Sequence, residues 1–177
     1  GTVALVLGWS YHGPPMQLAY RGLGELDVVL CYGPLIALAT YALLTHSYHV
    51  DVIWASIPLG LFIAAFLWVN EFPDYEADRS VGKNNLVVQL GKQRASRALP
   101  LIYLLALAVL GYAVLIDALP PLAMLGAIGL VPASVAMRWV WQDPQTFYRH
   151  KPAQPLALLA FVLLSAGITT GVLLGGI

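Results

Sequence analysis

Long stretches without a single Asp, Glu, Lys or Arg alternate with short polar segments along this chain, at 28–50, 52–70, 98–116, 118–137 and 152–177. Each approaches or exceeds the roughly 20 residues that carry a helix across the hydrocarbon layer. The pattern predicts an all-α integral membrane protein with spans at about 28–47, 52–71, 98–116, 118–140 and 154–176. Residues 1–8, GTVALVLG, read as the end of a further hydrophobic helix, and the chain is expected to be a C-terminal fragment of one transmembrane domain.

The polar interruptions have characters of their own. WSYHGPPMQLAYRGLGE (9–25) is rich in Gly and Pro and too polar to face lipid, so it is expected to be interfacial or folded over a cavity. In VGKNNLVVQLGKQRASRA (81–98), Gly82 and the Asn pair signal a turn, and Leu86, Val87 and Leu90 give one apolar face of a short surface helix. ALPP (118–121) predicts a tight turn, and WQDPQTFYRHKPAQP (141–155) a polar connector. Pro58 is expected to kink the second span. Trp9, Trp54, Trp68, Trp139 and Trp141 fall near span ends, as an aromatic belt would.

Composition excludes a soluble domain: 10% of residues are charged and mean hydropathy is +0.76, against roughly 25% charged in soluble proteins. Net charge is zero, so the placement of charge carries the information. If spans alternate, the segments 9–26, 71–97 and 138–153 share one membrane face, and all nine Lys and Arg residues lie in or beside them. The opposite loops hold only His46, His49, Asp51 and Asp117. The basic face is therefore expected to be cytoplasmic, in a multi-pass protein of the cell membrane. His46 and His49 could share a metal by spacing, but they sit on the face without other ligands and read as interfacial histidines. Cys31 has no partner in the chain for a disulfide.

The basic face also carries most of the acid, in NEFPDYEADRSVGKNN (70–85). If the second span stays helical to residue 78, Asn70, Glu71, Asp74 and Asp78 share an arc of roughly 100°, and Glu76 faces elsewhere. Like charges four residues apart repel unless a cation lies between them. Hard oxygen ligands at this spacing suit Mg²⁺, which is usually held by one or two carboxylates with substrate phosphates. Arg79, Lys83 and, from the first loop, Arg21 could complete a site for a polyanion. The plainer alternative is a solvated helix end whose acids pair with Arg79 and Lys83, and spacing alone does not separate the two.

NEFPDYEADRSVGKNNLVVQLGK resembles the second aspartate-rich motif of the UbiA superfamily of intramembrane aromatic prenyltransferases, where D-x-x-x-D precedes a Gly-Lys turn and a Leu-x-x-x-Leu-Gly segment. GPPMQLAYRGLGE is similar to the stretch before the fifth helix of the branch that prenylates dihydroxynaphthoate on the way to menaquinone. The resemblance implies a nine-span helical bundle around a central cavity, of which this chain supplies the end of the fourth span and the fifth to ninth. It implies an isoprenoid diphosphate held by Mg²⁺ and an aromatic acceptor as substrates, with the bilayer and no nucleic acid as partners. Asp74 and Asp78 map onto metal ligands, Asn70 onto the leading position that orients metal waters or a ligand carboxylate, and Arg21, Lys83 and Arg79 onto diphosphate contacts. Tyr32, Phe66 or Trp68 could stabilise an allylic cation, although such residues are more often plain packing or belt.

Departures limit what the resemblance implies. The family's first acidic motif is missing, so it is expected upstream of Gly1, and this chain alone is expected to be inactive. Met16 and Gln17 replace a more usual Pro-containing pattern, and Tyr20 stands where the hydroxybenzoate branch has Lys. Acceptors of the homogentisate, hydroxybenzoate or chlorophyllide type remain open. So do a transporter, which would place acids nearer the midplane, and a non-catalytic scaffold. A CDP-alcohol phosphotransferase would need an Asp-Gly step followed by Ala-Arg, which the chain lacks.

Overall fold

The structure is a computed structural model that describes residues 2–176, and every element in it is helical. A first helix, α1 (Thr2–His12), leads through a loop to α2 (Gly24–Leu30). One wide turn at residues 31–35 joins α2 to α3 (Ile36–Thr45), completing the first span. The second is the single helix α4 (Asp51–Ser80). After the short α5 (Leu86–Leu90) come α6 (Lys92–Leu115), a 3₁₀ segment (Pro121–Gly129) running into α7 (Leu130–Gln142), and α8 (Ala153–Gly175). Five of these helical stretches are long and apolar enough to cross a membrane.

Three boundaries depart from expectation, and at the first span the reason is that the limiting charge is buried by the protein. The first span begins at Gly24 and not near 28, because Glu25 and Asp27, each 5% exposed, are covered by neighbouring elements. Trp9 to His12 belong to α1 and not to the loop. The helix of the third span begins at Lys92 and carries exposed Arg94 and Arg97 in its first turns; the Lys92 ammonium lies over the rings of Tyr75 (5.2 Å) and Tyr148 (5.1 Å), a cation–π setting that lets a charged residue be buried.

The expected kink at Pro58 is also displaced. α4 runs unbroken past Pro58 and Pro73, and the non-helical residue inside a span is Gly33 (φ −100°, ψ −106°), just before Pro34. The missing Pro34 N–H and the freedom of glycine concentrate the distortion there.

α4 is the central helix, packed against the first span on one side and α6 and α8 on the other. Small residues permit this: a Cβ on Gly60 would lie 2.3 Å from the Val29 carbonyl oxygen, and one on Gly171 of α8 would lie 2.1 Å from that of Leu122. Close backbone approach through small residues is how membrane helices gain packing when lipid is as apolar as leucine. Phe62, Val69, Phe72, Leu99, Tyr103, Leu110 and Leu164 fill the core, whereas Leu104, Leu105, Leu159 and Leu173 face outward. Trp68 departs from the belt: it is 4% exposed and its indole N–H donates to the Ala95 carbonyl at 3.1 Å, tying α4 to α6.

Candidate active site

Three polar segments meet at the C-terminal end of α4. The loop before α2 reaches the turn before α5 through a hydrogen bond from Asn84 N–H to the Tyr20 carbonyl (3.3 Å). The connector between α7 and α8 is held by Phe147, which packs edge-on to Phe72 at 5.4 Å between ring centroids. The acidic stretch therefore lies at a mouth built from all three segments that carry the basic residues.

Along α4 the helix continues to Ser80, so Asn70, Asp74 and Asp78 recur at i, i+4 and i+8 on one face. Asn70 donates its side-chain amide N–H to the Phe66 carbonyl (2.7 Å), and its amide oxygen accepts no hydrogen bond among the described residues. Asp74 is exposed and has no hydrogen bond or ion pair among the described residues. Asp78 is largely buried, with its Oδ2 accepting from Lys83 Nζ (2.9 Å) and Asn85 Nδ2 (2.8 Å). The donor set open to a ligand is thus an amide oxygen, a whole carboxylate and the other oxygen of Asp78. These are hard oxygen donors of the kind that suit Mg²⁺, but two carboxylates alone make a partial set, and no group of three His, Cys, Asp or Glu able to hold a metal occurs among the described residues.

The remaining acids divide clearly. Glu76 is exposed, as a solvated charge would be. Glu71 is buried, with Glu25 beside it, and one carboxyl oxygen of each lacks a hydrogen-bond partner among the described residues. The other Glu25 oxygen accepts from the Leu86 N–H at 2.6 Å. Asp143, in the third segment, binds the hydroxyl and N–H of Thr146, and the hydroxyl contact holds its carboxyl below the usual range.

Of the basic residues, Lys83 is committed to Asp78 through one of its three donors. Arg79 is exposed at the helix end. Arg21 is exposed too, and braces its own loop by donating to the Pro15 carbonyl (3.0 Å). The geometry brings Asn70, Asp74, Asp78 and Lys83 together, whereas Arg79 and Arg21 make no contact with the acidic side chains among the described residues. Sequence reasoning missed Glu25 and Asn85, although Asn directly before an apolar helical run is a readable N-cap signal.

Beneath the mouth, between α1, the first span and α4, lies a cavity of about 410 Å³ lined by Gly8, Tyr11, Asp27, Tyr32, Phe66 and Leu67 among others. Its volume falls within the roughly 300–1,000 Å³ of small-molecule sites. Phe66 and Leu67 stand about one turn before Asn70 on the same helix, so the cavity wall and the oxygen donors follow one another along α4. Trp68 is not among its walls.

The sequence profile of the UbiA prenyltransferase family matches residues 1–164. The chain belongs to the UbiA prenyltransferase family. It is 36% identical over 99 residues to the 2-carboxy-1,4-naphthoquinone phytyltransferase of Synechocystis sp., covering 56% of this chain and 32% of that protein. It is 37% identical over 91 residues to the 1,4-dihydroxy-2-naphthoate octaprenyltransferase of Haemophilus influenzae, covering 51% and 30%. The corresponding Mycobacterium tuberculosis protein is 30% identical over 140 residues, 78% of this chain and 45% of that one. The chain spans about a third of the length of the first of these relatives. No solved structure matches.

Proposed function

We propose that this chain forms part of a Mg²⁺-dependent membrane prenyltransferase that moves a polyprenyl group from its diphosphate to a dihydroxynaphthoate-type acceptor. The observation that carries this is the succession of two unlike sites along one helix: free oxygen donors of Asn70, Asp74 and Asp78 at the mouth, and an aromatic-walled apolar cavity whose wall precedes them on α4. A diphosphate head and an isoprenoid tail require that combination. The naphthoate-acting relatives favour this acceptor over other aromatic rings.

Bound Mg²⁺ would neutralise the charge that builds on the departing diphosphate. Asp74, Asp78 and Asn70 would hold the cation, and Arg21 and Arg79, with the remaining Lys83 donors, would contact phosphate oxygens. The allylic C–O bond breaks with its electron pair leaving on the diphosphate. Tyr32 and Phe66, which line the cavity, would favour the cationic carbon. A ring carbon of the acceptor supplies the electron pair for the new C–C bond, and loss of CO₂ or a proton restores aromaticity. The mouth is assigned to the cytoplasmic face of the cell membrane, where the basic loops belong. The family's other aspartate-rich motif is assigned to sequence outside these residues.

The test uses membranes carrying the full-length protein, supplied with dihydroxynaphthoate, a polyprenyl diphosphate and Mg²⁺. Prenylated naphthol product and diphosphate release are expected, abolished by EDTA and restored by Mg²⁺. Asp74→Asn is expected to lower turnover by at least about 100-fold, the scale on which electrostatic leaving-group stabilisation acts. Turnover of hydroxybenzoate or homogentisate alone would overturn the acceptor assignment. Full activity in Asp74→Asn would overturn the site.

A further inference from the structure

We propose that Asn85 is a positioning residue that determines which oxygen of Asp78 is available to the cation, an inference that rests on the metal-site assignment above. Asn85 is 2% exposed, and both ends of its amide are engaged. Its Oδ1 accepts from the Val88 N–H (2.8 Å), capping α5, while its Nδ2 donates to Asp78 Oδ2 (2.8 Å). A backbone N–H needs an oxygen and a carboxylate needs an N–H, so the two partners fix the amide's orientation with no alternative flip.

Lys83 donates to the same Asp78 oxygen from the other side of the turn, and its backbone N–H returns to the Asp78 carbonyl at 2.9 Å. Two donors saturate Oδ2. They lock the carboxylate plane and leave Oδ1 as the uncommitted oxygen. Lys83 alone could follow Asp78 through several rotamers, because its stem is long and flexible. Asn85 cannot, because its own position is fixed by α5.

α5 is in turn clamped to the start of α2 and the loop before it. The Leu86 N–H donates to Glu25 Oε1 (2.6 Å), the Asn84 N–H donates to the Tyr20 carbonyl (3.3 Å), and Val87 is fully buried. A connected path therefore runs from Glu25 in LAYRGLGE, through α5 and Asn85, to Asp78. The two sequence motifs are joined by structure, and the first acts on the second as a brace. Partners that orient a ligand carboxylate typically contribute 10–100-fold to metal affinity or activity.

Asn85→Gly removes the amide but keeps a residue type that caps helices with a loss of only a few tenths of a kcal/mol. The full-length protein in lipid nanodiscs is titrated with Mn²⁺ and followed by electron paramagnetic resonance, with melting temperature recorded for each variant. Asn85→Gly is expected to weaken Mn²⁺ binding at least about tenfold. Val87→Ala, which loosens the buried anchor of α5 but leaves the Asn85–Asp78 contact, is expected to lower the melting temperature at least as much with Mn²⁺ affinity within about twofold.

Equal losses of Mn²⁺ affinity in the two variants would make Asn85 merely structural and overturn the inference. So would unaltered Mn²⁺ binding in Asn85→Gly while Asp78→Asn weakens it. Unaltered binding in Asp78→Asn would instead overturn the metal-site assignment itself.

Discussion

At the scale of the residue, partners decide roles that residue type leaves open. Trp68 stands where a belt or cavity aromatic could stand, yet its buried N–H donates to Ala95 and its ring fills the contact of α4 with α6. Trp68→Phe keeps most of the apolar volume and leaves the Ala95 carbonyl without that donor, which costs about 1 kcal/mol. The expected result is a lowered unfolding temperature in nanodiscs with kcat within about twofold of wild type; a large kcat loss at unchanged stability would return Trp68 to the cavity. The same logic shows what was legible among the acids. Asn70, Asp74 and Asp78 follow from helical spacing, because α4 stays regular, and the exposed Glu76 follows as well. Glu25 and Asn85 were illegible as site residues because their importance lies in long-range partners, Leu86 and Asp78, which no local periodicity encodes.

At the scale of the element, glycine separates contact from conformation. Gly60 and Gly111 both lie inside long apolar helices, and sequence does not distinguish them. A Cβ on Gly60 would strike the backbone of Val29, whereas one on Gly111 meets nothing within 4 Å. Gly60→Ala must separate α4 from the first span and is expected to cost about 1–3 kcal/mol, the scale of overpacking. Gly111→Ala is expected to stabilise by up to about 1 kcal/mol, since alanine is the better helix former and no neighbour has to move. Thermal unfolding of the two variants in nanodiscs checks the opposite signs; equal shifts would mean that α4 does not pack on the first span through Gly60. The spans themselves were readable because lipid demands long uncharged runs. Their starts were not, because Asp27 is hidden by tertiary contacts inside the first, and the helix of the third already runs from Lys92 through exposed Arg94 and Arg97.

At the scale of the whole molecule, the asymmetry of charge ties fold to function. Every Lys and Arg lies in or beside the three segments that close around the mouth, while the opposite end offers His46, His49, Asp51 and Asp117. The arrangement would draw an anionic head group to the oxygen donors and would also orient the protein in the membrane, since positively charged loops stay cytoplasmic. Topology and site location are therefore one claim, and one measurement tests both. With Cys31, the chain's single cysteine, replaced by alanine, a new cysteine is introduced either at exposed Glu76 beside the site or at exposed Ser47 on the opposite end. In intact cells treated with a membrane-impermeant maleimide, Ser47→Cys is expected to label at once and Glu76→Cys only after the membrane is opened. The reverse order would place the proposed diphosphate site outside the cell and overturn its assignment to the cytoplasmic face.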